Sequence, residues 1–227
     1  NKTSSKNFRI TRVNSDYAPL SSLGKILNIS WITPQMCVLF LSSMSEKRRF
    51  IDRLTSSIDN LHLNRVHRYE KLLRQRNKIL IQPNFDHTWL DTIETQISEL
   101  SIAITARRLD LIEELENLYL TEIKNSSSTE HFPTARIVIS GKIESLLIEK
   151  PAAEVEEHIK SELKNSRNNN ELFTPGPNNA SIDIFNKKNN KNLDMSSTGE
   201  QKLLLISIIL SHARMLRNKF NMAPILL

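Results

Sequence analysis

The pentapeptide Ser197-Thr198-Gly199-Glu200-Gln201 stands between a polar run that begins at Asp194 and the apolar block LLLIS. These residue types at this spacing can bind a phosphate. With Ser197 as N-cap, Glu200 falls at the third helical position and the two form a capping box. A helix start of that kind carries free backbone N–H groups and the positive end of the helix dipole. Glycine at 199 lets a phosphate oxygen approach the backbone with no Cβ in the way, and the Ser197 hydroxyl can donate to it. A box that only starts a helix is the other reading, and the five residues alone do not choose between them.

A second set of residues is electrostatic. Between Glu46 and Lys78 the chain has ten Lys or Arg against four Asp or Glu, so this segment carries the whole formal net charge of +6. Such concentration is the footprint of a contact with a phosphate backbone, or else a solvated basic helix face. At 100° per residue Arg68, Lys71, Arg74 and Lys78 fall within a sector of roughly 120°, opposite Val66, Tyr69, Leu72, Leu73 and Leu80. One face packs and the other is free to meet phosphates. Arg65 and Arg76 lie toward the apolar side, where carboxylates are their expected partners. Arg48 and Arg49 are candidates for the same phosphate contact, with a structural ion pair to Asp52 as the alternative.

Several chemistries are excluded. Glycine occurs only at 24, 141, 176 and 199, so neither G-x-x-x-x-G-K-[ST] nor G-x-G-x-x-G is present. The six histidines form no H-E-x-x-H, and the single Cys37 supports neither a disulfide within the chain nor a zinc cluster. That cysteine usage fits a reducing cytoplasm. His212, inside a helical pattern, reads as a packed or hydrogen-bonded side chain. No run approaches eighteen apolar residues, so no membrane span is expected. Asn1 at one end and APILL at the other read as cuts through a longer protein.

The elements that must position these residues follow from periodicity. FRITRV at 8–13 alternates, and NISWI and CVLFL at 28–32 and 37–41 are short β-branched or aromatic runs; all three read as strands. From Glu46 the period becomes helical through Leu80, as one long helix or two in succession. A further helix is expected to start at a capping box of Thr88 and Asp91, carrying Leu90, Ile97, Ile104, Leu111 and Leu118 at heptad spacing. Ordinary packing in an antiparallel hairpin accounts for that row. ARIVIS and IDIF read as strands, PAAEVEEHIKSELK as an amphipathic helix, 201–216 as a buried helix and PILL as a last core strand. The Asn-rich stretch between IKSELK and IDIF is a loop. The fold class is therefore α/β, a mixed sheet with helices carrying an all-helical insert built on a long antiparallel hairpin.

WITPQM at 31–36, KRRFIDR at 47–53, YEKLLRQRNKIL at 69–80, TPGP at 174–177 and STGEQK at 197–202 stand in the order found in the RecF recombination proteins, which the chain resembles over nearly its whole length. These are relatives of the SMC-type ABC ATPases. The resemblance implies an ATPase head, with residues 1–44 and 129–227 in the ATPase lobe and 45–128 in the helical insert. It implies that Ser197, Thr198, Gly199, Glu200 and Gln201 are the ABC signature, reaching ATP held by a partner subunit. It implies that Gln35 lies in the Q-loop, near nucleotide and magnesium, with an ordinary turn after Pro34 as the other reading. It gives Arg48, Arg49, Arg68, Lys71, Arg74 and Lys78 a role in DNA binding. For the intact family protein it implies ATP and Mg2+ as cofactors, weak DNA-dependent ATPase activity and an ATP-dependent homodimer. The implied partners are double-stranded or gapped single-stranded DNA and recombination mediator proteins, in the cytoplasm and without membrane, in the service of recombinase loading. The chain departs from the family in two places. Its sequence shows neither the P-loop nor the Walker B acids, so alone it is expected to assemble no ATP site. Gly176-Pro177-Asn178-Asn179-Ala180-Ser181 stands where the family has G-P-H-R-x-D. A helical interaction module that docks another protein, and a decayed remnant, are the alternatives to a DNA-binding clamp.

Overall fold

The computed structural model describes residues 11–18, 29–33, 36, 39, 41–82, 86–125, 133–168 and 176–227. Strands β1 (Thr11–Val13) and β2 (Asp16–Ala18) form a hairpin closed by Asn14 and Ser15, both at positive φ, 51° and 74°. Two successive positive φ values match the twist of a tight hairpin. The second strand was not expected, because Asn-Ser is a weaker turn signal than Asn-Gly. β3 (Ile29–Ser30) pairs in parallel with β7 (Ile225–Leu226), whose two residues are both exposed, so PILL forms a surface strand rather than the core strand expected. In CVLFL, by contrast, Leu39 and Leu41 lie in 3-10 turns, and the Ser42 amide donates to the Leu39 carbonyl at 3.1 Å. The strand expected there is absent at its described residues.

Helix α1 (Met44–Ser56) starts at a capping box of Ser43 and Glu46. Ser57 ends it, and the Asp59 carboxylate accepts from the Leu61 amide at 3.0 Å before α2 (His62–Leu80) begins. The helical stretch from Glu46 to Leu80 is thus two helices. α3 (His87–Asn125) runs 39 residues. Its start is fixed by Asp86, whose Oδ1 accepts from the amides of Thr88 and Trp89 at 2.8 and 3.2 Å. The expected box of Thr88 with Asp91 does not form; Asp91 pairs with Arg167 instead. Leu90, Ile97, Ile104 and Leu111 are fully buried within the chain's own core, so the heptad row is ordinary packing.

β4 (Ala135–Ser140), β5 (Ser181–Asn186) and β6 (Lys191–Asn192) form an antiparallel sheet in sequence order of pairing, with Ile137 opposite Ile184 and Ile139 opposite Ile182. Between β4 and β5 come α4 (Lys142–Glu149) and α5 (Ala152–Asn168); α6 (Thr198–Phe220) follows β6. The core has two centres. One joins α1, the C-terminal half of α3, β4, β5 and α6 through Ile51, Leu111, Ile139, Ile182 and Leu205. The other joins α2, the N-terminal half of α3, α4 and α5 through Tyr69, Ile97, Ile143 and Leu163. No helix among the described residues is long and apolar enough to cross a membrane.

Candidate functional site

Ser197 is the N-cap of α6, with φ −64° and ψ 155°, and forms the expected box: its Oγ accepts from the Glu200 amide at 3.3 Å, and Glu200 Oε2 accepts from the Ser197 amide at 3.0 Å. Ser197, Thr198 and Gly199 are exposed. Gln201 is not; at 2% exposure its side-chain Nε2 donates to the carbonyls of Leu193 and Ser196 at 2.9 and 3.2 Å. The five residues therefore divide into an outward face of small polar groups and an inward anchor. Gly199 has no positive φ, and a Cβ added there would meet nothing within 4 Å. Neither the backbone nor the packing of this chain demands glycine at 199.

Gly176 is the opposite case. A Cβ there would overlap the Tyr69 hydroxyl, so the close approach of the 176–180 turn to α2 requires glycine. That turn is held from two sides: Arg108 Nη1 donates to the Pro177 carbonyl at 2.6 Å and Arg48 Nη1 to the Ala180 carbonyl at 2.7 Å. Thr174 and Pro175 of TPGP, and Gln35, lie outside the described residues.

Along α2, Arg68, Lys71, Arg74 and Lys78 are all exposed, whereas Val66, Tyr69, Leu72 and Arg76 are buried. The structure brings the four cations to one face. Among the described residues their ties are both at the surface: Arg68 donates to Gln96 Oε1 at 2.9 Å and Arg74 lies 3.8 Å from Glu70. Arg65 pairs with Asp59, and Arg76 is fully buried with its Nε 2.8 Å from Glu94 Oε1, as the helical wheel anticipates. Arg49 is exposed, but half-buried Arg48 is committed to Ala180, and neither is the ionic partner of Asp52. That role falls to Arg108, whose Nε and Nη2 each lie 2.8 Å from Asp52, while His62 Nε2 lies 2.7 Å from Asp52 Oδ1. Burial pushes the Asp52 carboxyl up, but the bonds from His62 and Arg108 more than offset it and hold the group below its ordinary value. Sequence reasoning missed this junction because Asp52, His62 and Arg108 lie on three different helices.

Lys47, a neighbour of the expected DNA contacts, is instead 4% exposed and binds Asp194. His212 is buried as expected, with its Nε2 2.8 Å from Ser57 Oγ and 3.1 Å from the Leu54 carbonyl. No cluster of His, Cys, Asp or Glu suited to a metal ion occurs among the described residues.

No protein-family model matches the chain. It is 36% identical over 204 residues to the DNA replication and repair protein RecF of Mesorhizobium japonicum, covering 88% of this chain and 53% of that protein. The RecF of Agrobacterium fabrum is 32% identical over 222 residues, covering 95% of this chain and 58% of the relative. A solved structure of the recombination mediator protein RecF-ATPrS in the RecFOR pathway superposes with a TM-score of 0.73 at 21% identity, covering 96% of this chain and 59% of that one. A second, of RecF-ATP, gives 0.67 at 20% identity over the same shares. The solved structures agree with the mixed α/β architecture, and the chain spans somewhat more than half the length of the relatives it matches. Over the stretch it shares with them, the chain belongs to the RecF family of DNA replication and repair proteins.

Proposed function

We propose that the chain is the DNA-binding and signature-bearing part of a RecF-type repair protein. The outer face of α2 holds duplex or gapped DNA by its phosphates, and the start of α6 contacts ATP bound to a second subunit. The observation that carries the reading is the division of cations on α2: Arg76 is fully buried against Glu94, while Arg68, Lys71, Arg74 and Lys78 are left outward on one face. Contacts of this kind position a duplex without reading its sequence. The ATP part is supported by Gly199, a glycine this chain does not need for its own fold. In this reading ATP and Mg2+ drive dimerisation, hydrolysis releases the dimer, and the clamp assists recombinase loading with other recombination mediator proteins. Residues 1–44 and 129–227 serve the ATPase lobe and 45–128 the helical insert, and Gln35 senses nucleotide from the Q-loop.

Fluorescence anisotropy with a gapped duplex across a salt series tests the DNA contact. Affinity is expected to fall steeply as salt rises, and the pair Lys71→Glu and Arg74→Glu to abolish binding. Binding that ignores both salt and charge reversal would point to apolar docking of a protein partner and sink the proposal.

A further inference from the structure

We propose that Lys47 is a positioning residue for the Ser197–Gln201 helix start, acting through Asp194; the inference rests on the phosphate-contact reading of that pentapeptide. Lys47 lies on α1, and its Nζ stands 3.2 and 3.4 Å from the two carboxylate oxygens of Asp194, so one ammonium addresses both. Asp194 belongs to the 3-10 turn Leu193–Met195, which leads directly into the N-cap Ser197. The turn is held by further ties on its inner side. Asn192 Oδ1 accepts from the Asp194 amide at 3.0 Å, the Ser196 amide donates to the Leu193 carbonyl at 3.0 Å, the Gln201 side-chain Nε2 donates to both the Leu193 and Ser196 carbonyls, and the Gln201 backbone amide donates to the Ser197 carbonyl at 3.0 Å. All of these are local to residues 192–201. Among the described residues, Lys47 supplies the ionic tie that arrives from elsewhere in the fold.

Stability does not explain the choice of lysine. The Lys47 side chain is 5% exposed and its partner 44% exposed, so the ammonium loses most of its water for a pair screened at one end. Desolvation then offsets much of the Coulomb gain, and an apolar chain of similar length would pack about as well. What an apolar chain cannot do is fix the direction of the turn. A bare outer face of Ser197, Thr198 and Gly199 serves a ligand only if the helix start is held at one pitch, and Lys47 sets that pitch from α1. The same helix carries Arg48 to the Ala180 carbonyl and Asp52 to Arg108, which places the tie on an element fastened to the core centre it shares with α6.

Hydrogen exchange of the purified chain without nucleotide tests the tie, using Lys47→Met, Asp194→Asn and the double variant. Each single change is expected to speed exchange at the amides of Ser196, Glu200 and Gln201 by about tenfold, as loss of a charged hydrogen bond implies. The double variant should exchange no faster than either single one, and the thermal midpoint of Lys47→Met should not fall. Unchanged exchange at these amides would overturn the proposal, as would an additive double variant. A rise shared by all slowly exchanging core amides, with a lowered midpoint, would also overturn it by making Lys47 a mere stabiliser. Because no nucleotide is present, failure of the ATP contact would leave this outcome untouched.

Discussion

Acid should weaken this fold through one histidine. His212 lies on α6 against the C-terminal end of α1, 2% exposed, and burial, with the nearby Arg53 charge, lowers its pKa from 6.5 to about 4 despite the bond to Leu54. Its Nε2 faces the Leu54 carbonyl and Ser57 Oγ, whereas its Nδ1 has no hydrogen-bond partner among the described residues, which fits the neutral tautomer with the proton on Nε2. A second proton would place a buried N–H with no acceptor beside a guanidinium. A folded-state pKa below the unfolded one means that the unfolded chain binds more protons between the two values. The stabilisation is therefore complete above pH 6.5 and lost as pH falls toward 4. The shift corresponds to about 3 kcal/mol in full, of which about 2 kcal/mol disappears between pH 7 and pH 5. Urea unfolding followed by circular dichroism at both pH values, on wild type and His212→Gln, isolates the effect. Glutamine keeps a donor toward Leu54 and cannot titrate. Glu144, whose carboxyl is raised by burial, contributes with the opposite sign but equally in both proteins. Wild type should lose about 2 kcal/mol more than the variant. Parallel losses would refute the assignment.

Two further outcomes follow from the buried contacts. Arg108→Met, which strands Asp52 between α1, α2 and α3, should cost about 3–5 kcal/mol, and adding Asp52→Asn should recover part of it, read from denaturant midpoints. The two functional-region glycines should respond oppositely to alanine: Gly199→Ala should leave the melting temperature unchanged or slightly raised, whereas Gly176→Ala must displace Tyr69 and lower it by several degrees.

The parts of the fold that were legible in the sequence are those whose signal is local. The capping box at Ser197 depends on residues three apart, and the α2 face on a period of 3.6, so both could be placed before any coordinates. The start of α3 was misplaced by two residues for a local reason as well: Asp86 and Thr88 are both good caps, and only the long-range claim of Arg167 on Asp91 removes the second. Arg76, Glu94 and Arg167 form one buried network from three helices, and Lys47 meets Asp194 across 147 residues. Composition cannot announce such partners. Nor could the apolar face of α5 reveal that it packs on the helical hairpin rather than on the sheet whose strands flank it in sequence.

The same distinction sharpens the salt dependence expected of DNA binding. Ten cations lie between Glu46 and Lys78, and charge counting alone would allow a contact for each. Five are committed inside the molecule: Lys47 to Asp194, Arg48 to Ala180, Arg65 to Asp59, Arg76 to Glu94, and Arg53 stacked on Trp31 and Phe50 at 4.7 and 5.3 Å. Arg49 and the four outward residues of α2 remain. Each phosphate neutralised on a duplex contributes about −0.9 to the slope of log affinity against log salt, so four or five contacts give a slope of about −4, whereas ten would give about −9. Replacing Lys71 alone by alanine should make the slope shallower by about 1 and leave the unfolding midpoint unchanged. A measured slope near the larger value would mean that DNA reaches cations now paired with Glu94 and Asp194, which requires the hairpin to open. A slope near the smaller value, shifted stepwise by single alanine changes at Arg68, Lys71, Arg74 and Lys78, is what the outer face of α2 requires.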